Sequence, residues 1–591
     1  MASATFTISC TAAAATPTSS NLHKPSKFLL NPNLPKHRRS KLSCAASSSK
    51  GQNPSPEIIT PGTTLDRRNV LLGLSGLYGA YNLSLPGGGA LASPVPAPDI
   101  TKCGPATITS STEKVPYSCC PPFSGTIVDY KLPEFTKLNV RPAAHAIHED
   151  QLEKYKTAVQ RMKELPEDDP RNFYQQANVH CAYCNGAYKL AGGQEYQVHF
   201  SWLFFPFHRW YLYFHERILQ SLIGDPTFTL PYWNWDNPQG MFLPEIFDDK
   251  ASPLYNEVRD QRHHKDLIVD LAYSAGEALN TTELQILRNN LAIMYRQMVT
   301  NAPCPALFFG NTLRGEGYDT KSGGGTIENV PHNTLHRWVG DPTMTNNEDM
   351  GNFYSAAKDP VFYCHHGNVD RMWSVWKGLG GKRRDIADPD WLQSEFLFYD
   401  ENKNLVKVNV QDCLDHKKLG YTFQDMPTQW MRSRPTSKKK TQSARSTKIS
   451  IPLAINILPT TLQQTVTFYV MRPKTSRSKQ EKADMEELLN LNLTYDETKY
   501  IRFDVFLNED NLLKVFELDR AEYLGSFANL AHIHENSNEN QPKTTTYSLA
   551  ITELLEDLGL ELDKNVAVTV VPKYNGEFMT INSVDVSLLS C

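Results

Sequence analysis

His332-Asn333-Thr334-Leu335-His336 sets two imidazoles four residues apart. In a helix that is one turn, so both rings can reach a single ion. A third ligand is offered by Asp359-Pro-Val-Phe-Tyr-Cys-His-His-Gly-Asn-Val-Asp-Arg-Met-Trp373, where Pro360 can open a helix and either His365 or His366 can face the metal. Spacing does not choose between them. Earlier in the chain lies a second set, His180, His199 and His208. His199 and His208 are nine residues apart and would fall on opposite faces of one continuous helix, so one of them must precede it. Ser201 to Leu219, rich in aromatics, reads as a helix carrying His208, with His199 on its approach. His215 shares a face with His208 but sits two turns on, roughly 10 Å along the axis, and reads as a packed or surface histidine.

Two sets of three histidines suit neither the oxygen-ligated hard cations nor a structural zinc site, which would bring thiolates. They predict a pair of histidine-bound transition metals, with copper as the best match. Cys184 follows His180 by four residues in His180-Cys-Ala-Tyr-Cys184 and brings a soft sulfur near the first set. A thiolate ligand there would favour zinc or a mononuclear copper; a buried free cysteine is the plain alternative.

Between Ala143 and Trp376 apolar residues recur at helical spacing, as in 149–164, 281–299 and 360–376. Beyond residue 448 the period changes to that of strands: 449–458, 465–471, 500–507, 544–551 and 566–571. The expected fold is multidomain: a mainly α-helical bundle holding a binuclear metal centre, followed by a small β-sandwich. Between them, residues 431–448 hold seven basic residues, no acid and almost nothing apolar, the composition of an exposed linker and protease target.

The chain has 591 residues, 40% of them hydrophobic, enough for two or more full cores, and a net charge of −4 that argues against a nucleic-acid partner. The charge is uneven. Residues 1–92 carry a surplus of +7, leaving −11 on the remainder. Residues 1–56 contain no acid and many Ser, Thr, Ala and Pro, as in a chloroplast transit peptide. Within 57–92, Asp66-Arg67-Arg68 leads into an apolar, glycine-rich run ending Ala90-Leu91-Ala92, which resembles a twin-arginine signal for the thylakoid lumen. The run from Val70 to Leu85 is shorter than the ~20 apolar residues a membrane span needs, so removal is expected, leaving a soluble mature chain from Ser93 with no retained span.

At these residues the chain resembles the plant polyphenol oxidases, of the catechol oxidase and tyrosinase family with a coupled binuclear copper centre. The blocks that carry the resemblance are His180-Cys-Ala-Tyr-Cys184, Phe204-Phe-Pro-Phe-His-Arg-Trp210, Leu230-Pro-Tyr-Trp-Asn-Trp235, His332-Asn-Thr-Leu-His336 and Asp359 to Trp373. The resemblance implies that His180, His199 and His208 bind one copper and His332, His336 and His366 the other. It implies a thioether from Cys184 to His199 in place of a thiolate ligand, and disulfides Cys103–Cys120 and Cys119–Cys181. Phe353 corresponds to a gate above the second copper, Glu328 and Asn333 to a water-positioning pair, and Arg337 to the pocket mouth, where it would favour acidic phenols. The copper domain would span 93–380. A short domain would follow over 381–430, around Asp390-Trp-Leu392, and a shielding domain over 449–591, with Arg502-Phe-Asp-Val505 where the family usually has Lys-Phe-Asp-Val.

The implied activity is oxidation of o-diphenols to o-quinones with reduction of O2 to water, with ortho-hydroxylation of monophenols also open. Latency would be relieved by a protease acting at the linker. Three other readings compete: a dioxygen carrier, a dinuclear hydrolase, which would bring bridging carboxylates, and an interaction module in place of the shield. The residues themselves leave bland alternatives for several positions. Glu328 and Asn333 could cap a helix, Asp370 could orient a ligand imidazole or form a surface ion pair, and His532 and His534 read as solvated. Cys304, Cys364, Cys413 and Cys591 carry no assignment.

Overall fold

The computed structural model describes residues 93–110, 113–123, 125–190, 192–276, 281–318, 323–436, 451–508, 517–533 and 542–591. All belong to one contact unit, Gly88–Cys591. The transit and twin-arginine segments, most of the basic linker, and His534 lie outside the described residues.

Six helices frame the first half: α1 Glu149–Lys163, α2 Phe173–Cys184, α3 Phe204–Ile223, α4 Glu283–Tyr295, α5 Asn333–Val339 and α6 Val361–Gly378. Local chemistry sets their ends. Asn172 accepts from the Tyr174 N–H at 2.8 Å to start α2, and the Asp359 carboxylate accepts from the Val361 N–H at 2.9 Å to start α6. Gly224, at φ +68°, closes α3 in the left-handed region. α3 begins three residues later than its pattern suggested, because Ser201–Leu203 form a turn that carries the chain in from His199. It packs against both α1 and α6. Most of its residues are buried, so its aromatic run is core on nearly every side.

A buried ionic knot joins these helices. The Asp370 carboxylate on α6 accepts from Arg209 Nε on α3 at 2.5 Å, from Arg141 Nη1 at 3.2 Å and from the Tyr421 hydroxyl at 2.5 Å. Arg141 also donates to Glu216 at 2.9 Å. The guanidiniums lie over the rings of Tyr421 and Trp373. Asp370 therefore neither orients a ligand imidazole nor sits in a surface pair. It holds two helices and the strand Tyr421–Phe423 together.

The second half is a sandwich of two four-stranded antiparallel sheets. Its strands are β1 Thr460–Thr461, β2 Val466–Met471, β3 Met485–Tyr495, β4 Ile501–Leu507, β5 Tyr523–Asn529, β6 Lys543–Ala550, β7 Asn565–Tyr574 and β8 Met579–Ser590. The sheet orders are β1-β8-β3-β6 and β2-β7-β4-β5. Leu489, Leu491, Leu493 and Tyr495 alternate inward from β3 to meet Phe468, Phe503 and Val505 of the other sheet. The strand expected over 449–458 is not present over its described part. Pro452 and Pro459 bracket a 3-10 turn, Ala454–Asn456, because proline supplies no ladder donor. The sequence pattern also passed over β3, β5 and β8, where inward residues alternate with polar ones or with Gly and Ser.

Edge strand β5 is covered by the helical half. Its Leu524 and Ala528 carbonyls accept from Asn301 Nδ2 at 2.8 Å and Asn333 Nδ2 at 2.9 Å, and Arg296 donates to Ala521 O at 3.0 Å. Such side-chain donors satisfy an edge that would otherwise recruit another strand. Arg502, which stands where the family pattern has lysine, bonds Asp504 at 2.7 Å and reaches across to Ser274 Oγ at 3.0 Å. Among the described residues no helix is long and apolar enough to cross a membrane.

Substituting Asp370→Asn removes the central charge of the knot and leaves two buried guanidiniums undercompensated. The expected cost is about 3–5 kcal/mol, measured as a lowered urea midpoint of the mature chain.

Candidate metal centre

The centre is built where α2, α3, α5 and α6 converge. His180 comes from α2, His208 from α3, His336 from α5 and His366 from α6. His199 lies on the turn before α3, and His332 ends a wide helical turn, Glu328–His332. That turn breaks at Val330, which is extended at φ −147°, because the ring of the following Pro331 disfavours helical backbone in the residue before it. The Val330 carbonyl left over is satisfied by Gln297 Nε2 at 2.9 Å.

All six rings are buried. Within the first set their centroids are 5.1–5.6 Å apart, and within the second 4.5–5.6 Å. The sets face each other: His208 and His366 stack at 4.1 Å, and His199 lies 5.7 Å from His332. Five of the six present the same nitrogen to protein oxygen. Nδ1 of His180 donates to Phe353 O at 3.0 Å, that of His199 to Gln197 Oε1 at 3.0 Å and that of His208 to Phe204 O at 2.7 Å. His332 Nδ1 donates to Asn333 Oδ1 at 3.0 Å and His336 Nδ1 to Met350 O at 2.6 Å.

Fixing the proton on Nδ1 leaves the Nε2 lone pair for a metal. In the second set those Nε2 atoms converge. His336 Nε2 lies 3.1 Å from that of His332 and 3.4 Å from that of His366, while Nε2 of His180, His199 and His208 are buried without a partner. Burial, the largest cause, holds all six below the usual imidazole range, His336 to about 4 and His208 to about 3, so the rings are neutral donors at physiological pH. Lone pairs of like sign crowded in a dry core fit two soft-to-borderline cations and little else.

Both histidines of the doublet approach the second set. His365 also lies 5.3 Å from His332 and 5.1 Å from His336, but it borders Trp233 and Trp235, whereas His366 faces the first set. Cys184 Sγ and one nitrogen each of His180 and His199 lie within 4.8 Å of one another. Gln197 ties the sulfur's residue to the ring, donating to Cys184 O at 2.5 Å while accepting from His199. Burial pushes the Cys184 thiol well above its usual range. His215 is buried and stacks on Tyr363 at 3.6 Å, away from the centre.

Phe353 stacks on His199 at 4.1 Å and forms one wall with Phe200. Glu328 is fully buried. Oε1 accepts the Phe200 N–H at 2.5 Å, Oε2 has no partner, and desolvation raises its carboxyl to about 8. Asn333 is committed at both ends, its oxygen to His332 and its nitrogen to Ala528 of the sandwich. Arg337 lies beneath Tyr500 on a cavity of about 500 Å³ that also reaches Asn352 and His532, and its Nε and Nη1 have no partner.

His532 overturns its sequence reading. It is buried, not solvated, and its ring lies 5.3 Å from Phe200 and 5.4 Å from Phe353, directly over the wall of the centre. Nothing in a polar stretch around 530–540 signals this, since the contact is made by packing of the whole sandwich. The structure contains the disulfides Cys103–Cys120 and Cys119–Cys181, and a third, Cys304–Cys591, that sequence reasoning left unassigned. Cys364 and Cys413 are buried free thiols.

Residues 170–379 match the common central domain of tyrosinase, 385–436 the polyphenol oxidase middle domain and 458–588 the chloroplastic polyphenol oxidase C-terminal domain. The chain is 52% identical to chloroplastic catechol oxidase B of Solanum tuberosum, over 97% of its length and 96% of the relative's. The chain belongs to the plant polyphenol oxidase family. A second relative, chloroplastic polyphenol oxidase E of Solanum lycopersicum, is also 52% identical, over 98% of this chain and 96% of its own. Among solved structures, latent apple tyrosinase superposes with a TM-score of 0.74 at 46% identity, covering 79% of this chain and all of that one. Latent aurone synthase, a polyphenol oxidase, gives 0.79 at 40% identity over 84% of this chain and 99% of that one. As a polyphenol oxidase this chain is a copper oxidoreductase, and its cofactor is a pair of copper ions.

Replacing Gln197 by Leu removes the acceptor that fixes the His199 tautomer. Copper affinity is expected to fall by about 10–100-fold, read by competition with a chelator.

Proposed function

We propose that the chain oxidises o-diphenols to o-quinones while reducing O2 to water, and that it is made latent, with the sandwich as its cover. The observation that carries this reading is the two facing sets of neutral imidazoles, five of the six tethered through Nδ1, in a dry, aromatic-walled core. His180, His199 and His208 hold one copper, and His332, His336 and His366 the other. Two coppers supply the electron capacity for diphenol oxidation and O2 reduction when bound. Cys184 is joined to His199 by a thioether, which favours a purified chain lighter by one pair of hydrogens in that peptide.

The remaining residues handle substrate and protons. Phe353, packed on His199, offers a flat face for a phenolic ring and gates its approach. Glu328 holds a proton at neutral pH because burial disfavours its charge. Once the cover is gone and water reaches Oε2, the lost desolvation lets the carboxyl release its proton to solvent; as a carboxylate it orients water with Asn333, whose Nδ2 is then free, and can accept the proton of a monophenol. Arg337 attracts the carboxylate of acidic phenols; Arg337→Leu is expected to reduce the preference for caffeic acid over catechol, measured as a ratio of kcat/KM values.

The seat of His532 against Phe200 and Phe353 favours a shield over an independent interaction module. The relatives are named chloroplastic; with the acid-free leader this supports a plastid location, and the twin-arginine segment supports the thylakoid lumen. A protease acting in the basic linker is the activating partner.

The test is to express residues 93–591, count copper and assay catechol before and after linker cleavage. Two coppers per chain and higher turnover after cleavage are expected, with activity lost on chelation and restored by copper. Fewer than two coppers in a folded chain would overturn the centre, and unchanged turnover in the fully separated halves would overturn the shield.

A further inference from the structure

We propose that the Cys304–Cys591 disulfide is a thiol-exchange site, so that uncovering the centre takes two events: cleavage of the linker, then reduction by a dithiol. The proposal rests on the shield reading above and adds a second lock to it.

Cys304 precedes the short helix Pro305–Phe309 in the helical half, and Cys591 is the last residue of the sequence given, directly after β8. The bond therefore joins the two halves through the end of the sandwich that is farthest in sequence from the linker. β8 is no loose tail. It runs between β1 and β3 and pairs with β3 from Met485↔Ser590 to Tyr495↔Met579, so the sulfur holds the sandwich through one of its interior strands. The other two disulfides, Cys103–Cys120 and Cys119–Cys181, stay within the helical half and do not cross to the sandwich.

Cutting within 431–448 opens the chain upstream of β1 and leaves every strand of the sandwich on the Cys591 side. The cover then remains attached through sulfur. A short tether keeps its partner at an effective concentration on the order of millimolar. A cover that binds with a Kd of about 1 μM would thus stay seated in all but about one molecule in a thousand. Proteolysis alone then leaves the centre closed. The non-covalent contacts hold in the same sense: Asn301 and Asn333 grip β5, Arg296 grips the Ala521 carbonyl just before it, and Arg434, just before the described chain stops, pairs with Asp557 at 2.7 Å.

The bond can be reached from one side. Cys304 is buried, whereas Cys591 is partly exposed and lines a cavity of about 550 Å³ with Arg384, Asp385, Asp388 and Ser590. A thiolate entering there attacks Cys591 Sγ, forming a mixed disulfide and expelling Cys304 as thiolate, which takes a proton. The second thiol of the same dithiol then closes on its own sulfur and releases Cys591 as a thiol. The dithiol loses two electrons and two protons, and the protein gains both.

The mature latent enzyme is cleaved at the linker and assayed with catechol in two forms, wild type and Cys591→Ser, beside the uncut chains. Cys591→Ser needs no reductant, so the other disulfides and the copper are untouched. Cleaved wild type is expected to run as one species on a non-reducing gel and two on a reducing gel, with activity near that of the uncut chain. Cleaved Cys591→Ser is expected to be more active than cleaved wild type by about tenfold or more. As a second measurement independent of the variant, cleaved wild type treated with a small dithiol, alkylated and desalted should release the fragment of residues 449–591 on gel filtration. Cleaved wild type as active as cleaved Cys591→Ser, or a fragment that separates without reduction, overturns the tether while leaving the shield intact. Cleaved Cys591→Ser no more active than its uncut form, with the fragment removed, overturns the shield reading itself.

Discussion

The structure depends on one repeated hydrogen bond, an imidazole Nδ1–H given to a protein oxygen. Five of the six facing histidines make it, and each time it decides which nitrogen carries the proton and which points inward. Three acceptors are local, Gln197, Phe204 and Asn333 each lying within four residues of its histidine, while Phe353 O and Met350 O come from one separate loop that must be in place to fix His180 and His336. Without metal, the buried Nε2 atoms would be a liability of the kind that folded cores avoid. With metal, the same atoms become the reason the helices belong together. The Asp370 knot performs the complementary task, holding α3 and α6 in the relative position that lets His208 stack on His366.

Much of this was legible in the chain. The His332 and His336 spacing, the Pro360 helix start and the need for His199 to precede α3 follow from helical geometry alone, and all three are present in the fold. Hydrophobic period separated a helical half from a stranded half. What was not legible is what depends on backbone carbonyls and on packing between halves. No residue type announces that Met350 or Phe353 will offer its carbonyl to an imidazole, that Asp370 will be enclosed by two arginines, or that His532 will leave a polar stretch to lie on Phe200. The strands β3, β5 and β8 escaped because their inward residues are interleaved with Asn, Ser and Gly, which weaken a period-two signal that only the facing sheet makes decisive.

The sandwich also solves a problem of its own by docking. An edge strand with open carbonyls invites pairing with other chains, and β5 is such an edge. The helical half supplies amide donors to it and a guanidinium to Ala521 just before it, so the same contacts satisfy the strand and seat the sandwich beside His332. Arg502 extends the same economy. Its guanidinium satisfies Asp504 inside the sandwich and still reaches Ser274 beyond it, which a single ammonium would do with less geometric reach.

Asn333 links these two roles in one side chain. Its oxygen steadies a ligand ring while its nitrogen is spent on the strand that hides the centre. On the shield reading proposed above, departure of that strand would leave an amide donor bare beside His332, where a hydroxyl or solvent molecule could be received. Unveiling the cavity and equipping it for a polar guest would then be a single movement.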